Sequence, residues 1–319
     1  MKFLRNFFDK RYEKTSKKWH PLWESFETLV FTPNHTTKSG AHIRDGIDLK
    51  RTMMFVILAM VPALLFGIWN VGEQHFVMMN ETVGFWDKII HGAIKVVPII
   101  AVSYGVGLTV EFIFGIINGH ALHEGFLVSG MLIPLIMPVD TPLWMIGVAT
   151  VFGVVIGKEV FGGTGMNVVN VALTTRAFLF FAHPTSMSGD TVWTSGYGAI
   201  KDLAKSGDVV AKKIADGYSG ATPLGQLASM TTDNPAFENI SDFTTNGITM
   251  ARAFTGDYLG SIGESSTIAI LIGLAFLLIT RIASWRIVVS FFLGGFVMAT
   301  IFNLVAGDNA YMQLPALHQ

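Results

Sequence analysis

Three sets of residues in this 319-residue chain have types and spacings that invite chemistry. Glu111 and Arg176 are ionisable and stand inside long apolar runs. A charge in hydrocarbon is costly, so each should face a bundle interior. There it serves function, or it pairs with the other or with backbone carbonyls and only holds helices together. The second set is "DGYSGATPL", Asp216 to Leu224. Gly217 and Gly220 permit turns, Pro223 suits a first helical turn, and Thr222 just before it is a good N-cap. The third is "FGGTGMN", Phe161 to Asn167. A phosphate-loop reading fails there because no Lys-Ser/Thr follows and no strand precedes. A tight turn between packed helices fits the small residues better.

These sets must be held by membrane helices. The chain is 51% hydrophobic and 14% charged, with a net charge of -1. Soluble domains carry roughly 25% charged residues, and the deficit lies in uninterrupted apolar runs, so the class is a multi-pass membrane protein in contact with lipid. Bulk charge offers no case for nucleic-acid binding. Cysteine is absent, which excludes disulfides, thiolate zinc sites, Cys-ligated iron–sulfur clusters and thiol nucleophiles within this chain. Electrons, if handled, need an organic cofactor.

Seven spans are expected: Thr52 to Val71, Val96 to Ile117, Phe126 to Val139, Leu143 to Gly157, Met166 to Ala182, Ser265 to Thr280 and Ile287 to Ala306. The third and fourth are short and joined by "MPVDTPLW", which predicts tilted spans or broken helices buried in protein. Of the 22 Lys and Arg, 11 precede residue 52, which sets the N-terminus cytoplasmic. "KEVFGGTG" and "RIASWR" then lie on the cytoplasmic side, and residues 183–264 outside. The organisation is an amphipathic cytoplasmic arm (1–51), a bundle of five spans (52–182), an extracytoplasmic loop (183–264) and two further spans (265–319). The arm mixes aromatics with Lys and Arg as an interfacial helix does, or serves as a charged tail that supports topology. It lacks the apolar core of a signal peptide and is expected to be retained. N-x-S/T patterns at Asn34, Asn80 and Asn239 have nothing else to support glycosylation.

Read as Asp216, Ser219, Gly220, Ala221 and Thr222, the polar turn resembles the flavinylation motif of bacterial redox-driven ion pumps. "FTPNHTTKSGAHIRDGIDLKR", "HEGFLVSG", "GKEVFGGTGMN", "TTRAFLFFAHPTSMSGD", "GSIGESSTIAILIG" and "IASWRIV" are similar, in order from Phe31 to Val288, to the B-subunit family of sodium-translocating NADH:quinone oxidoreductases. The resemblance implies an all-α integral membrane fold, half of an inverted-repeat bundle plus the start of the second half. The family pattern continues for several more helices, so the chain is expected to be C-terminally shorter than the family and inactive alone.

The resemblance further implies that a flavin transferase joins FMN to the Thr222 hydroxyl as a phosphoester. Asp216, Ser219, Gly220 and Ala221 form the recognition turn, and the hydroxyl is expected to be unhindered on a flexible, exposed loop. It implies riboflavin as a second flavin, Glu111 on the sodium path, and a quinone site drawing on Trp19, Lys50, Gly107 and Glu124. "VGLTVE" departs from the family's usual double glycine, with Leu108 after Gly107. Partners are the other subunits of a six-subunit complex in the bacterial inner membrane, quinone and Na+, with NADH binding elsewhere. Two other readings stay open: the D subunit of the related ferredoxin:NAD oxidoreductase, and a non-redox secondary transporter.

Overall fold

The computed structural model describes residues 49–118, 125–225 and 249–305, together with Phe31, Thr37 and residues 39–41. Trp19, Glu124, the glycosylation patterns at Asn34 and Asn239, and most of the cytoplasmic arm lie outside the described residues. The described residues form α-helices and short 3-10 turns and contain no strand. The helices are α1 (Leu49–Met79), α2 (Phe85–Asn118), α3 (Gly125–Ile136), α4 (Leu143–Gly157), α5 (Val171–Ala182), α6 (Tyr197–Lys205), α7 (Val209–Gly217), α8 (Met250–Thr255), α9 (Thr267–Ile279) and α10 (Trp285–Val305).

Every expected span coincides with a helix, yet the lengths differ. Among the described residues, four helical segments are long and apolar enough to cross a membrane: Leu49–Met79, Phe85–Ile117, Leu143–Phe161 and Trp285–Val305. The other three, α3, α5 and α9, have 12, 12 and 13 residues. At about 1.5 Å per residue each falls short of a hydrocarbon core of roughly 30 Å. The expected span from Met166 starts instead at Val171, because Asn170 Oδ1 accepts the Ala172 and Leu173 amide protons at 2.9 and 3.2 Å and caps the helix there. The preceding glycine-rich stretch is the turn the sequence predicts. Gly162, Gly163 and Gly165 all hold positive φ, a conformation that costs glycine nothing.

α1 outruns its apolar stretch by eight residues, from Gly72 to Met79. Within that extension Gln74 Nε2 donates to Asp257 Oδ1 at 3.2 Å, and Glu73 pairs with Lys88. Just before it, Asn70 Nδ2 donates to the Tyr258 carbonyl at 3.0 Å. Asn80 ends the helix in the left-handed region (φ 56°), with the Glu81 amide donating to the Phe76 carbonyl at 3.0 Å.

The chain divides into two compact units. The first contains Ile100–Ile133 and Leu143–Phe178. Val110, Phe126, Val154 and Val171 are buried together at its centre, with Tyr104, Leu108, Phe114 and Val155 against them. Pro134 lacks the N–H that would bond the Gly130 carbonyl, and Ser103 Oγ donates to that carbonyl at 2.9 Å. Thr150 and Thr175, both fully buried, donate to the carbonyls of Ile146 and Val171 at 2.7 and 2.9 Å, so their hydroxyls cost little among apolar side chains.

The second unit contains Leu58–Ile99, Pro134–Pro142 and the described residues from Leu179 onward. The sequence predicts no span within residues 183–264. That segment carries α6, α7 and α8, nine, nine and six residues long.

Candidate functional site

The Asp216–Thr222 turn follows α7. That helix starts where Asp208 accepts the amide protons of Val210 and Ala211 at 2.9 and 3.0 Å, and it ends at Gly217. Tyr218 is extended and clamped at both of its polar groups. The Tyr197 hydroxyl donates to the Tyr218 carbonyl at 2.7 Å, and the Tyr218 hydroxyl bonds Thr194 Oγ1 at 3.0 Å. The two rings meet edge to face with centroids 5.2 Å apart. Burial pushes both phenols above the usual tyrosine range.

Gly220 is the tightest point of the turn. A Cβ there would stand 1.9 Å from the Asp190 carbonyl oxygen and 2.8 Å from the Tyr197 ring. The glycine of the motif is therefore required by close backbone approach. Lys201 lies 5.0 Å from the centre of the Tyr197 ring and pairs with the Asp190 carboxylate, which it holds below the usual carboxylate range. Asp216 and Ser219 are exposed, whereas Ala221 and Thr222 are half-buried. Thr222 Oγ1 accepts the Gly225 amide proton at 3.1 Å and caps the helix that begins at Pro223. The cap read from sequence is present. Thr222 is half-buried where sequence expected an exposed turn, because the wedge at Gly220 and the tyrosine clamp seat the motif against Tyr197.

The segment before α6 is itself gripped by residues that sequence reasoning missed. His75 and His91 stack with ring centroids 3.9 Å apart. His75 Nδ1 lies 2.7 Å from the Ser195 carbonyl and His91 Nε2 lies 3.1 Å from Ser195 Oγ. A carbonyl only accepts, so the His75 proton sits on Nδ1. The next amide, Gly196 N–H, donates to Asp140 Oδ2 at 2.8 Å. Burial raises the Asp140 pKa against the lowering effect of that bond. The one available signal was "MPVDTP", where prolines flank an acid.

In the first unit, Glu111 pairs with Lys158, and Glu159 Oε1 lies 3.7 Å from the same ammonium. The three residues are 4, 2 and 9% exposed. Sequence offered Arg176 as a partner for Glu111; the structure gives it Lys158, and Arg176 lies half-buried on α5. Lys158, read from sequence only as part of a cytoplasmic-side segment, is buried because α4 delivers it into the interior one residue beyond its last turn. Gly107 is filled by a neighbour: a Cβ there would stand 1.9 Å from the Phe126 ring. Lys50 is the second residue of α1 and is half-buried.

The segment from residue 36 to 318 matches the model of the NQR2, RnfD, RnfE family, and the chain belongs to that family of membrane proteins. Its relatives include the B subunit of the Na(+)-translocating NADH-quinone reductase of Ectopseudomonas mendocina, 42% identical across 96% of this chain and 76% of the relative. The corresponding protein of Neisseria meningitidis serogroup B is 39% identical across 94% of this chain and 74% of the relative. Both relatives are named as parts of an oxidoreductase complex that translocates sodium.

The residues at Thr222 fit a phosphoester-linked flavin. Thr222 as a residue is half-buried, and an ester oxygen still accepts a hydrogen bond as Thr222 Oγ1 does from Gly225.

Proposed function

We propose that this chain is the B-type membrane component of a sodium-translocating NADH:quinone oxidoreductase, seated in the bacterial inner membrane with its N-terminus cytoplasmic. It works only with its partner subunits, and NADH binds one of those. The reading is carried by the match to B-type relatives over 96% of the chain, with the acceptor motif present at Asp216–Thr222.

In this reading Thr222 accepts FMN from a flavin transferase. An Oγ–phosphorus bond forms as the phosphorus–oxygen bond joining the FMN phosphate to the remainder of an activated, dinucleotide-type flavin donor breaks, and the hydroxyl proton goes to that leaving phosphate. Covalent FMN supplies reversible electron transfer, with riboflavin as a second carrier and quinone as acceptor. The chain's own residues seat the attachment point: Tyr197 and Tyr218 clamp the turn, and Gly220 lets it pack. Glu111 lies on the sodium path. Lys50 and Gly107 contribute to the quinone site with Trp19 and Glu124, Gly107 through the space it leaves for Phe126.

Co-expression with a flavin transferase tests the attachment. The denatured chain should retain flavin fluorescence and gain the mass of one FMN less one water. Thr222→Val keeps the branched shape and removes the nucleophile, so both signals should vanish. Ser219→Ala should keep both. Covalent flavin on the Thr222→Val chain would move the site elsewhere, and a colourless wild-type chain would return the turn to a simple helix cap and favour a non-redox transporter.

A further inference from the structure

Lys158 is a buried ammonium that the functional reading leaves without a task. It stands between two carboxylates, Glu111 on α2 and Glu159 in the 3-10 turn after α4. All three side chains are 3–4% exposed. A cation that reaches Glu111 therefore meets an ammonium already seated there.

The backbone on either side of Lys158 is fixed. Its amide donates to the Val154 carbonyl at 3.1 Å, and its own carbonyl accepts from Phe161 and Gly163 at 3.2 and 3.1 Å. The mobile part is the four-carbon stem with its compact charge. Its ammonium has two seats within reach, one at Glu111 and one at Glu159, so it can leave the first without becoming an unpaired buried charge.

We propose that Lys158 is a tethered counter-cation that competes with the transported monovalent cation for Glu111, retreating to Glu159 when that cation arrives. The inference rests on the placement of Glu111 on the sodium path and adds to it a displacement step built from this chain. No bond is made or broken; one ion pair is exchanged for another.

The test measures the sodium concentration for half-maximal NADH-driven quinone reduction, separately from maximal turnover, in the complex purified with its partner subunits. Lys158→Met removes the competitor and should lower that concentration several-fold. Glu159→Gln removes the second seat, holds the ammonium on Glu111 and should raise it. Lys158→Arg keeps the charge and should stay closer to wild type than Lys158→Met. If Glu111→Gln shifts the half-activating concentration while Lys158→Met and Glu159→Gln leave it unchanged, the competitor inference is overturned and the Glu111 reading stands. If Glu111→Gln also leaves it unchanged, the sodium reading itself falls. Should Lys158→Met fail to assemble, Glu159→Gln decides alone: a raised value supports the inference and an unchanged one overturns it.

Discussion

Tyr197 and Gly220 are in direct contact, the glycine leaving no room for a side chain against the tyrosine ring and the Asp190 carbonyl beside it. Gly220→Ala should therefore unseat the turn without changing the acceptor. Overpacking of this kind costs about 1–3 kcal/mol. The expected outcome is faster proteolysis between residues 190 and 222 with normal insertion of the helices. Unchanged proteolysis would show that the turn is not held by this contact.

Removing a single hydroxyl separates the clamp from the wedge. Tyr197→Phe keeps the ring against Gly220 and deletes the donor to the Tyr218 carbonyl. Leaving that carbonyl short of its partner costs about 1–3 kcal/mol, so hydrogen exchange at residues 218–222 should accelerate while the near-ultraviolet tyrosine environment persists. Wild-type exchange in the variant would refute the clamp.

Acid should loosen the same region. The Lys201 pairing depresses the Asp190 carboxyl, so its contribution to stability is fully present above the ordinary carboxylate pKa of about 3.9 and is lost as pH falls through the lower folded value. The side chains of Lys201 and Asp190 are 27 and 49% exposed, and solvent screening keeps the effect small. Proteolytic resistance of the loop should be flat from about pH 5 to 8 as far as this pair is concerned. Asp190→Asn should flatten the acid limb further. An acid limb identical in the variant would assign it to another group.

At Gly107 the structure shows a packing role beside the proposed quinone role. Gly107→Ala should reduce assembly by an overpacking cost of about 1–3 kcal/mol, and Phe126→Leu in the same chain should restore it, since the clash is with the Phe126 ring. Normal assembly of the Gly107→Ala chain with lowered quinone affinity would assign Gly107 to quinone contact alone.

Orientation is testable on a clean background because the chain has no cysteine. Ser206, exposed just after α6, should label with an impermeant thiol reagent in intact spheroplasts once changed to cysteine, and a cysteine at Ser16 should not. The reverse pattern would place the loop that carries Thr222 in the cytoplasm.

Features that depend on neighbouring residues were legible before any folding was considered. The apolar run Leu143 to Gly157 is α4 residue for residue. The last run lies within α10 but for its final residue, which falls beyond the described helix. The Thr222 cap and the glycine turn at 162–165 could be read because capping and positive φ are local properties of residue type. Which distant groups meet was settled only by the path of the folded chain. Lys158 and Glu111 are 47 residues apart and read separately as part of a cytoplasmic-side segment and as a membrane acid, until chain path puts both in one interior. His75, His91 and Asp140 converge on Ser195 and Gly196 from three separate segments, and where α1 extends past its apolar run Asp257 arrives to bond Gln74. Hydropathy records whether a residue carries a charge or an amide. Whether that group is buried depends on a partner, and tertiary packing supplies the partner.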